Sequence, residues 1–264
     1  MRLSKDVLKI DAEKVKNKIC RFISEYIEKS GADGAVVCLS GGLDSSLICF
    51  LTSEAIGADH VRGLVLPEKG VTKERDVNDA LRVARMRGVR CDVIDITNIV
   101  RSFYSAIPIY DADDLISAGN VKARVRMVVA YYYANRFNFI VVGSGNRSEL
   151  LTGYFTKYGD GGVDILPLGG LYKTQVRQLA LYVGVPEDIV WKTPSAGLWV
   201  GQTDEDELGV TYDILDLILY GFEHGMRAEE IAEELQLPVG KVLDVLEMVR
   251  RSKHKREPPM IFKM

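Results

Sequence analysis

A run of small and polar residues, Ser40-Gly41-Gly42-Leu43-Asp44-Ser45-Ser46, follows the apolar stretch Ala35-Val36-Val37-Cys38-Leu39 and precedes a second apolar series, Leu47, Ile48, Phe50 and Leu51. Glycines let a backbone approach a ligand closely. If the second series is a helix, the N–H groups of its first turn lack intrahelical partners and, with the helix dipole, favour an anion. Ser40, Ser45 and Ser46 add hydroxyl donors, and Asp44 offers a hard oxygen to a Mg²⁺ carried on phosphates. A plainer reading makes the string a Gly-Gly turn whose Asp and Ser cap a helix; the full string after a buried strand favours the phosphate site. No Walker A pattern, G-x-x-x-x-G-K-[ST], occurs in the chain. Gly143-Ser144-Gly145-Asn146-Arg147-Ser148 begins like a dinucleotide fingerprint, but Ser148 stands where the third glycine belongs, which argues against a Rossmann NAD site there.

Such a loop needs a rigid frame. Val15, Ile19, Phe22, Ile23 and Tyr26 recur at offsets of three and four, one apolar stripe of a helix over 11–29 that Gly31 and Gly34 end. Short continuous apolar runs at 35–39, 63–66, 91–96 and 139–143 suit strands buried on both faces of a parallel sheet. Helical patterns at about 43–56, 73–87, 97–107 and 113–135 separate them. This alternation predicts a doubly wound parallel α/β sheet. Residues 144–170 are rich in Gly and Asp and read as a long functional loop. A helix over 171–183, a polar segment near 193–207 and three helices within 207–252 complete the chain. With no repeats and no Ser/Pro-rich linker, we expect one domain over 1–264, an α/β core to 190 and a mainly helical part, 191–264, closing over the site.

The 264 residues carry 34 Lys and Arg against 37 Asp and Glu, a net charge of −3 that argues against a protein whose main work is coating nucleic acid or an anionic membrane. No apolar stretch approaches the roughly 20 residues needed to cross a bilayer, and the charged N-terminal segment lacks the apolar core of a secretory signal. The four cysteines form no C-x-x-C pair and read as small buried hydrophobes with reduced thiols. A cytoplasmic enzyme is expected.

The string S-G-G-x-D-S resembles the pyrophosphate-binding loop of N-type ATP pyrophosphatases, which implies cleavage of ATP between its α and β phosphates. Further strings resemble ammonia-dependent NAD synthetases: GNVKARVRM at 119–127, GSGNRSE at 143–149, GYFTKYGDGG at 153–162 and PLGGLYKTQVR at 167–177, followed by the weaker PSAGL at 194–198, GQTDED at 201–206 and SKHKR at 252–256. Together they span most of the chain. The departure is Ser144, where the family more often has Thr; the hydroxyl is kept. The resemblance implies a five-stranded sheet of the adenine nucleotide alpha hydrolase type. It also implies ATP contacts from Leu39 through Ser46, Ser144, Lys173 and Ser195. Arg124, Lys157, Asp164, His254 and Lys255 would touch deamido-NAD. Asp44 and Glu149 would hold Mg²⁺, with Asp44 and Lys173 acting in catalysis.

Residue chemistry agrees in kind. Arg124 suits a bidentate anion contact. Glu149 lies just after a predicted strand end, where ligands collect in open α/β sheets. Lys157 and Asp164 flank Gly159, Gly161 and Gly162 in a segment composed like a lid. Lys173 can meet developing charge on ATP phosphates. The expected reaction joins ammonia to the nicotinate carboxylate through an adenylate, giving NAD, AMP and pyrophosphate. Only 39 residues precede Ser40, so free ammonia is expected as nitrogen source, with a separate partner as one supplier. A tRNA-thiolation enzyme is the rival within the superfamily, but extra cysteines and a basic surface are lacking. Residues 227–252 also resemble a helix-turn-helix with a basic tail, yet Glu229, Glu230, Glu233, Glu234 and Asp244 would repel nucleic acid. A homodimer is implied by resemblance, with Val125, Val128, Val129 and Tyr132 as a seam or, equally, as packing on the chain's own sheet.

Overall fold

The computed structural model describes residues 2–263. Four strands, Gly34–Cys38 (β1), Val61–Val65 (β2), Arg90–Val93 (β3) and Phe139–Val142 (β4), pair in parallel in the order β3-β2-β1-β4. Each sits on an apolar run read from the sequence. The fifth strand is reduced to a single bridge, Val142 to Ile165. Val141 donates its N–H to the Asp164 side chain at 2.6 Å instead of to a main-chain carbonyl, and Pro167 has no N–H to continue a ladder.

Helices Ala12–Ser30 (α1), Leu43–Ile56 (α2), Glu74–Met86 (α3), Thr97–Ala106 (α4), Leu115–Phe137 (α5) and Lys173–Val183 (α7) flank the sheet, with Arg147–Thr152 (α6) preceding α7. Period-two alternation sorts the strands' side chains. Ala35, Val37, Val61 and Val142 meet α1, α2, α3 and α7, while Val36, Leu64 and Val141 meet Val100 of α4 and Val125, Ala130 and Ala134 of α5. The sheet is therefore covered on both faces at β1, β2 and β4, as expected, whereas β3, expected to be as buried, is an edge strand with Arg90 and Val93 exposed. Apart from half-buried Asp44, helix α2 is buried all round from Leu43 through Ser53, between the sheet and α1 and α7. Leu47→Ala there would cost about 2–5 kcal/mol. On α1 the buried stripe is Ile19, Ile23 and Ile27; Phe22 and Tyr26, expected in it, face solvent.

Short helices Glu187–Val190 (α8) and Asp204–Leu208 (α9) follow, then Tyr212–Glu223 (α10), Ala228–Leu235 (α11) and Val239–Arg251 (α12). Tyr212, Leu215, Ile218, Ile231, Val242 and Val245 form a separate apolar cluster with Leu3, Leu8 and Tyr172. The strand order reverses between β1 and β4, and a crevice opens beyond the carboxyl ends of strands at such a reversal. The segments leaving those two strands are the Ser40–Ser46 loop and the 143–149 string.

Candidate active site

Leu39 N–H still pairs with the Leu64 carbonyl at 2.8 Å, and the chain then leaves the sheet. Gly41 has φ +76°, and a Cβ there would lie 2.1 Å from the Asp76 carbonyl oxygen, so only glycine fits. Gly42 caps α2, whose hydrogen bonding begins with Ser46 N–H on the Gly42 carbonyl at 3.1 Å. That leaves the N–H groups of Leu43, Asp44 and Ser45 as the helix's orphan donors. The Ser40 and Ser45 hydroxyls lie 3.0 Å apart at the mouth of the turn. Ser46 differs from expectation: its hydroxyl donates to the Gly42 carbonyl at 2.7 Å, and the side chain is buried beneath the turn. Gly41 likewise faces α3 and does not wall the cleft.

Three elements deliver charge to this turn. Lys173, first residue of α7, places Nζ 2.5 Å from Asp44 Oδ2 and 3.2 Å from Glu149 Oε1. Asn146 donates to Asp44 Oδ1 at 2.9 Å, tying the segment after β4 to the loop after β1. Asn146 and Glu149 form a reciprocal capping box at the start of α6, which fixes the Glu149 carboxylate. Buried Asp216 of α10 accepts from Ser148 Oγ at 2.5 Å and Thr174 N–H at 2.8 Å, clasping the starts of α6 and α7. Burial pushes the Glu149 carboxyl well above the ordinary carboxylate range, with Asp44 and Asp204 adding to the rise against Lys173. For Lys173, burial pulls the ammonium down, but the Asp44, Glu149 and Asp204 charges outweigh it and the net shift is upward. The lysine is thus held as a cation.

A cleft of about 1200 Å³ opens above this group. Leu39, Ser40, Gly42, Leu43, Asp44 and Ser45 wall it, as do Ser144, Glu149, Lys173, Ser195 and Lys255. Ser195 Oγ donates to the Gln202 carbonyl at 2.7 Å and accepts Gly197 N–H at 3.1 Å. Lys255 Nζ donates to the Gly153 and Phe155 carbonyls at 2.7 and 2.9 Å. The other residues expected on deamido-NAD lie apart from the phosphate loop. Lys157 Nζ donates to the His254 carbonyl at 2.5 Å, and Arg124 donates to the Lys157 carbonyl at 3.3 Å; all three residues are solvent-accessible. Asp164 is occupied elsewhere, accepting from Tyr131 Oη at 3.1 Å and from Val141 N–H.

Several residues here were not singled out from the sequence. Asp204, at the start of α9, accepts from the Tyr212 hydroxyl at 3.1 Å and leaves its other oxygen buried without a partner. Burial pushes its carboxyl up, opposed by Lys173 and the Tyr212 hydroxyl. The Lys173 ammonium lies 5.1 Å from the Tyr212 ring centroid, a cation–π distance. Lys192 reaches the Gly41 carbonyl at 2.8 Å. Asn146 had a legible signal, since Asn followed three residues later by Glu marks a helix start. Asp204, Tyr212 and Lys192 reach the site only through tertiary folding.

Among the described residues no three His, Cys, Asp or Glu side chains gather into a metal cage. Asp44 and Glu149 nonetheless already share one cation, the Lys173 ammonium. Two hard carboxylates completed by phosphate oxygens and water are what Mg²⁺ requires, so the donor set fits that ion. The cysteines offer no activated thiol: burial pushes Cys38 and Cys91 up to about 11 and Cys49 up to about 12.

A parallel α/β sheet with an anion-accepting helix start at its strand reversal defines a nucleotide-binding protein of the doubly wound class. The NAD synthase family model matches residues 15–259, and the chain belongs to that family. An NH(3)-dependent NAD(+) synthetase of Hyperthermus butylicus is 51% identical over 255 residues, covering 96% of this chain and 92% of that one. The corresponding synthetase of Staphylothermus marinus is 47% identical over 258 residues, covering 97% and 94%. Among solved structures, an NMN synthetase from Francisella tularensis superposes with TM-score 0.85 at 34% identity, covering 97% of this chain and all of that one.

Proposed function

We propose that the protein is an ammonia-dependent NAD synthetase, amidating deamido-NAD with ATP to give NAD, AMP and pyrophosphate in the last step of NAD biosynthesis. The observation that carries this reading is the Lys173 ammonium set between Asp44 and Glu149 at the anion-accepting start of α2, in a chain of the NAD synthase family. A nicotinate carboxylate cannot expel oxide to ammonia, so it must first gain a leaving group. Its oxygen attacks the α-phosphorus of ATP, the bond to the bridging β-oxygen breaks, and pyrophosphate departs into the turn. Ammonia then attacks the acyl carbon, the C–O bond to AMP breaks, and the nitrogen loses a proton.

The chain's own contribution is positioning and charge. The N–H groups of Leu43, Asp44 and Ser45, with the Ser40 and Ser45 hydroxyls, hold the departing phosphates. Lys173 neutralises charge developing on them. Asp44 and Glu149 would hold Mg²⁺, which supplies Lewis-acid polarisation of phosphoryl oxygens when bound. Ser144 and Ser195 contact the nucleotide, while Arg124, Lys157, His254 and Lys255 bind deamido-NAD. Residues 191–264 act with the 1–190 core as one domain; Lys255, reaching Gly153 and Phe155, supports that closure.

We propose a homodimer in the cytoplasm. On α5 the expected seam divides: Val125 packs on the sheet, whereas Val128 and Tyr132 are 59% and 70% exposed and free to meet a second copy. No described helix is long and apolar enough to cross a membrane. The helix-turn-helix reading loses support because Arg250 and Arg251 at the end of α12 both pair with Glu247.

Incubating the protein with ATP, Mg²⁺, ammonium and deamido-NAD should yield equal amounts of NAD and AMP. ADP in place of AMP would exclude attack at the α-phosphorus. Because one structural neighbour is an NMN synthetase, nicotinic acid mononucleotide is offered in parallel; preference for it would move the substrate from dinucleotide to mononucleotide. Turnover with glutamine as efficient as with ammonium would overturn the nitrogen source.

A further inference from the structure

Lys192 lies between α8 and the segment that carries Ser195, outside every string that pointed to function. Its Nζ meets the Gly41 carbonyl at 2.8 Å, Asp76 Oδ1 at 3.0 Å and the buried carboxylate of Asp79. An ammonium has three donors, and all three are used. Asp76 and Asp79 both belong to α3, which also presses its Asp76 carbonyl against Gly41.

The consequence lies in a single peptide plane. The Gly41 C=O and the Gly42 N–H are opposite edges of one rigid amide. With the carbonyl held by Lys192 and α3, the N–H points the opposite way, toward Ser40, to whose Oγ it donates at 3.3 Å. Gly42 and Ser40 wall the cleft and Gly41 does not. Glycine backbones populate both signs of φ readily, so a Gly-Gly amide has little intrinsic resistance to turning over. A turned amide would aim carbonyl oxygen, a partial negative charge, at the bound phosphates.

We propose that Lys192 is a positioning residue: it locks the Gly41–Gly42 amide with its N–H toward the anion and, two residues before Pro194, sets where Ser195 enters the cleft. The proposal rests on the reading of this turn as the site that holds pyrophosphate. Lys192 lies on the cleft wall, but its three donors are all taken, so it acts through the backbone it holds. It also extends the loop's support beyond its own strand and helix to α3 and to the chain after α8.

The test uses the full chain with three substitutions, Lys192→Met, Lys192→Arg and Asp76→Asn. Inorganic pyrophosphate and adenosine are titrated separately, followed by the fluorescence of Trp191 and Trp199, both on the cleft wall. Loss of one charge-assisted contact should weaken pyrophosphate binding of Lys192→Met about tenfold and leave adenosine binding unchanged. Lys192→Arg should recover most of that loss, and Asp76→Asn should show a smaller loss in the same direction. Should Lys192→Met not fold, the order of wild type, Arg and Asp76→Asn variants in pyrophosphate affinity still decides. Unchanged pyrophosphate binding across the three, or equal weakening of both ligands, would overturn the positioning role alone. Failure of the unaltered chain to bind pyrophosphate would overturn the functional reading and this role together.

Discussion

The charged group at the start of α2 and the cationic group around Lys157 are built in opposite ways. In the first, Asp44, Glu149 and Lys173 come from three helices and satisfy one another with their side chains largely buried at the cleft floor. In the second, Arg124 and Lys157 donate to main-chain carbonyls on exposed segments, and the His254 ring is left to solvent. The first arrangement is electrostatics fixed before any ligand arrives, which is where catalysis gains most. The second holds its cations in replaceable contacts, as suits side chains that must turn to an arriving anion. On the proposed function, one molecule thus keeps a rigid chemical centre beside an adaptable grip.

The sharpest way to break this contrast is to remove its central cation. Lys173→Met leaves Asp44, Glu149 and Asp204 facing one another, and kcat should fall by about 10²–10³; Asp44→Ala should fall in the same range. AMP release at saturating substrates measures both, and near-native turnover of either would refute the assignment. Arg124→Ala and His254→Ala should act differently, raising KM for deamido-NAD about tenfold while KM for ATP stays put. Equal changes for the two substrates would merge the groups into one and dissolve the comparison. Asp164→Asn should behave as neither: with Tyr131 and Val141 as its partners, it should cost about 1–2 kcal/mol of stability, read as a lower Tm, with little change in KM.

An effect of pH concerns Asp216, whose carboxyl burial pushes up to about 6 even though it accepts from Ser148 and Thr174. Between the ordinary carboxylate value and 6 the native chain binds more protons at this residue than the unfolded chain. Stability from this group therefore falls as pH rises through that window, by at most about 3 kcal/mol. Asp216→Asn should flatten the decline when Tm is followed from pH 4 to 7; an unchanged slope would count against it.

Much of this was legible in residue order, for identifiable reasons. Strands β1 and β4 are continuous apolar runs, β2 and β3 overlap such runs despite Arg62, Arg90 and Asp92, and α1, α2 and α5 are long enough for periodicity to register. Helices α6, α8 and α9 span six, four and five residues, too few turns for a periodic signal; α6 falls inside the segment read as a loop, α9 begins in the polar segment near 193–207, and α8 lies in a stretch given no assignment. The turn at the start of α2 was legible as a glycine-rich helix start because its residues are consecutive. Lys192 was not, and Asp204 entered only within the weak string GQTDED with no role of its own, because neither has a neighbour in sequence that announces its partner. As the fourth residue of α2, Ser46 falls on the helix's inner side, where its hydroxyl bonds back to Gly42.

The lone bridge at Ile165 also bears on how the molecule behaves in a crowded solution. An outermost strand with unpaired amides invites foreign chains to zip onto it. Here β4 is shielded by a short irregular stretch pinned through Asp164, too brief to be extended by another polypeptide. At the opposite border β3 carries Arg90 and Asp92, the latter 3.6 Å from Arg62, and such charges discourage the same kind of accretion. Losing the fifth strand has therefore not left the sheet sticky.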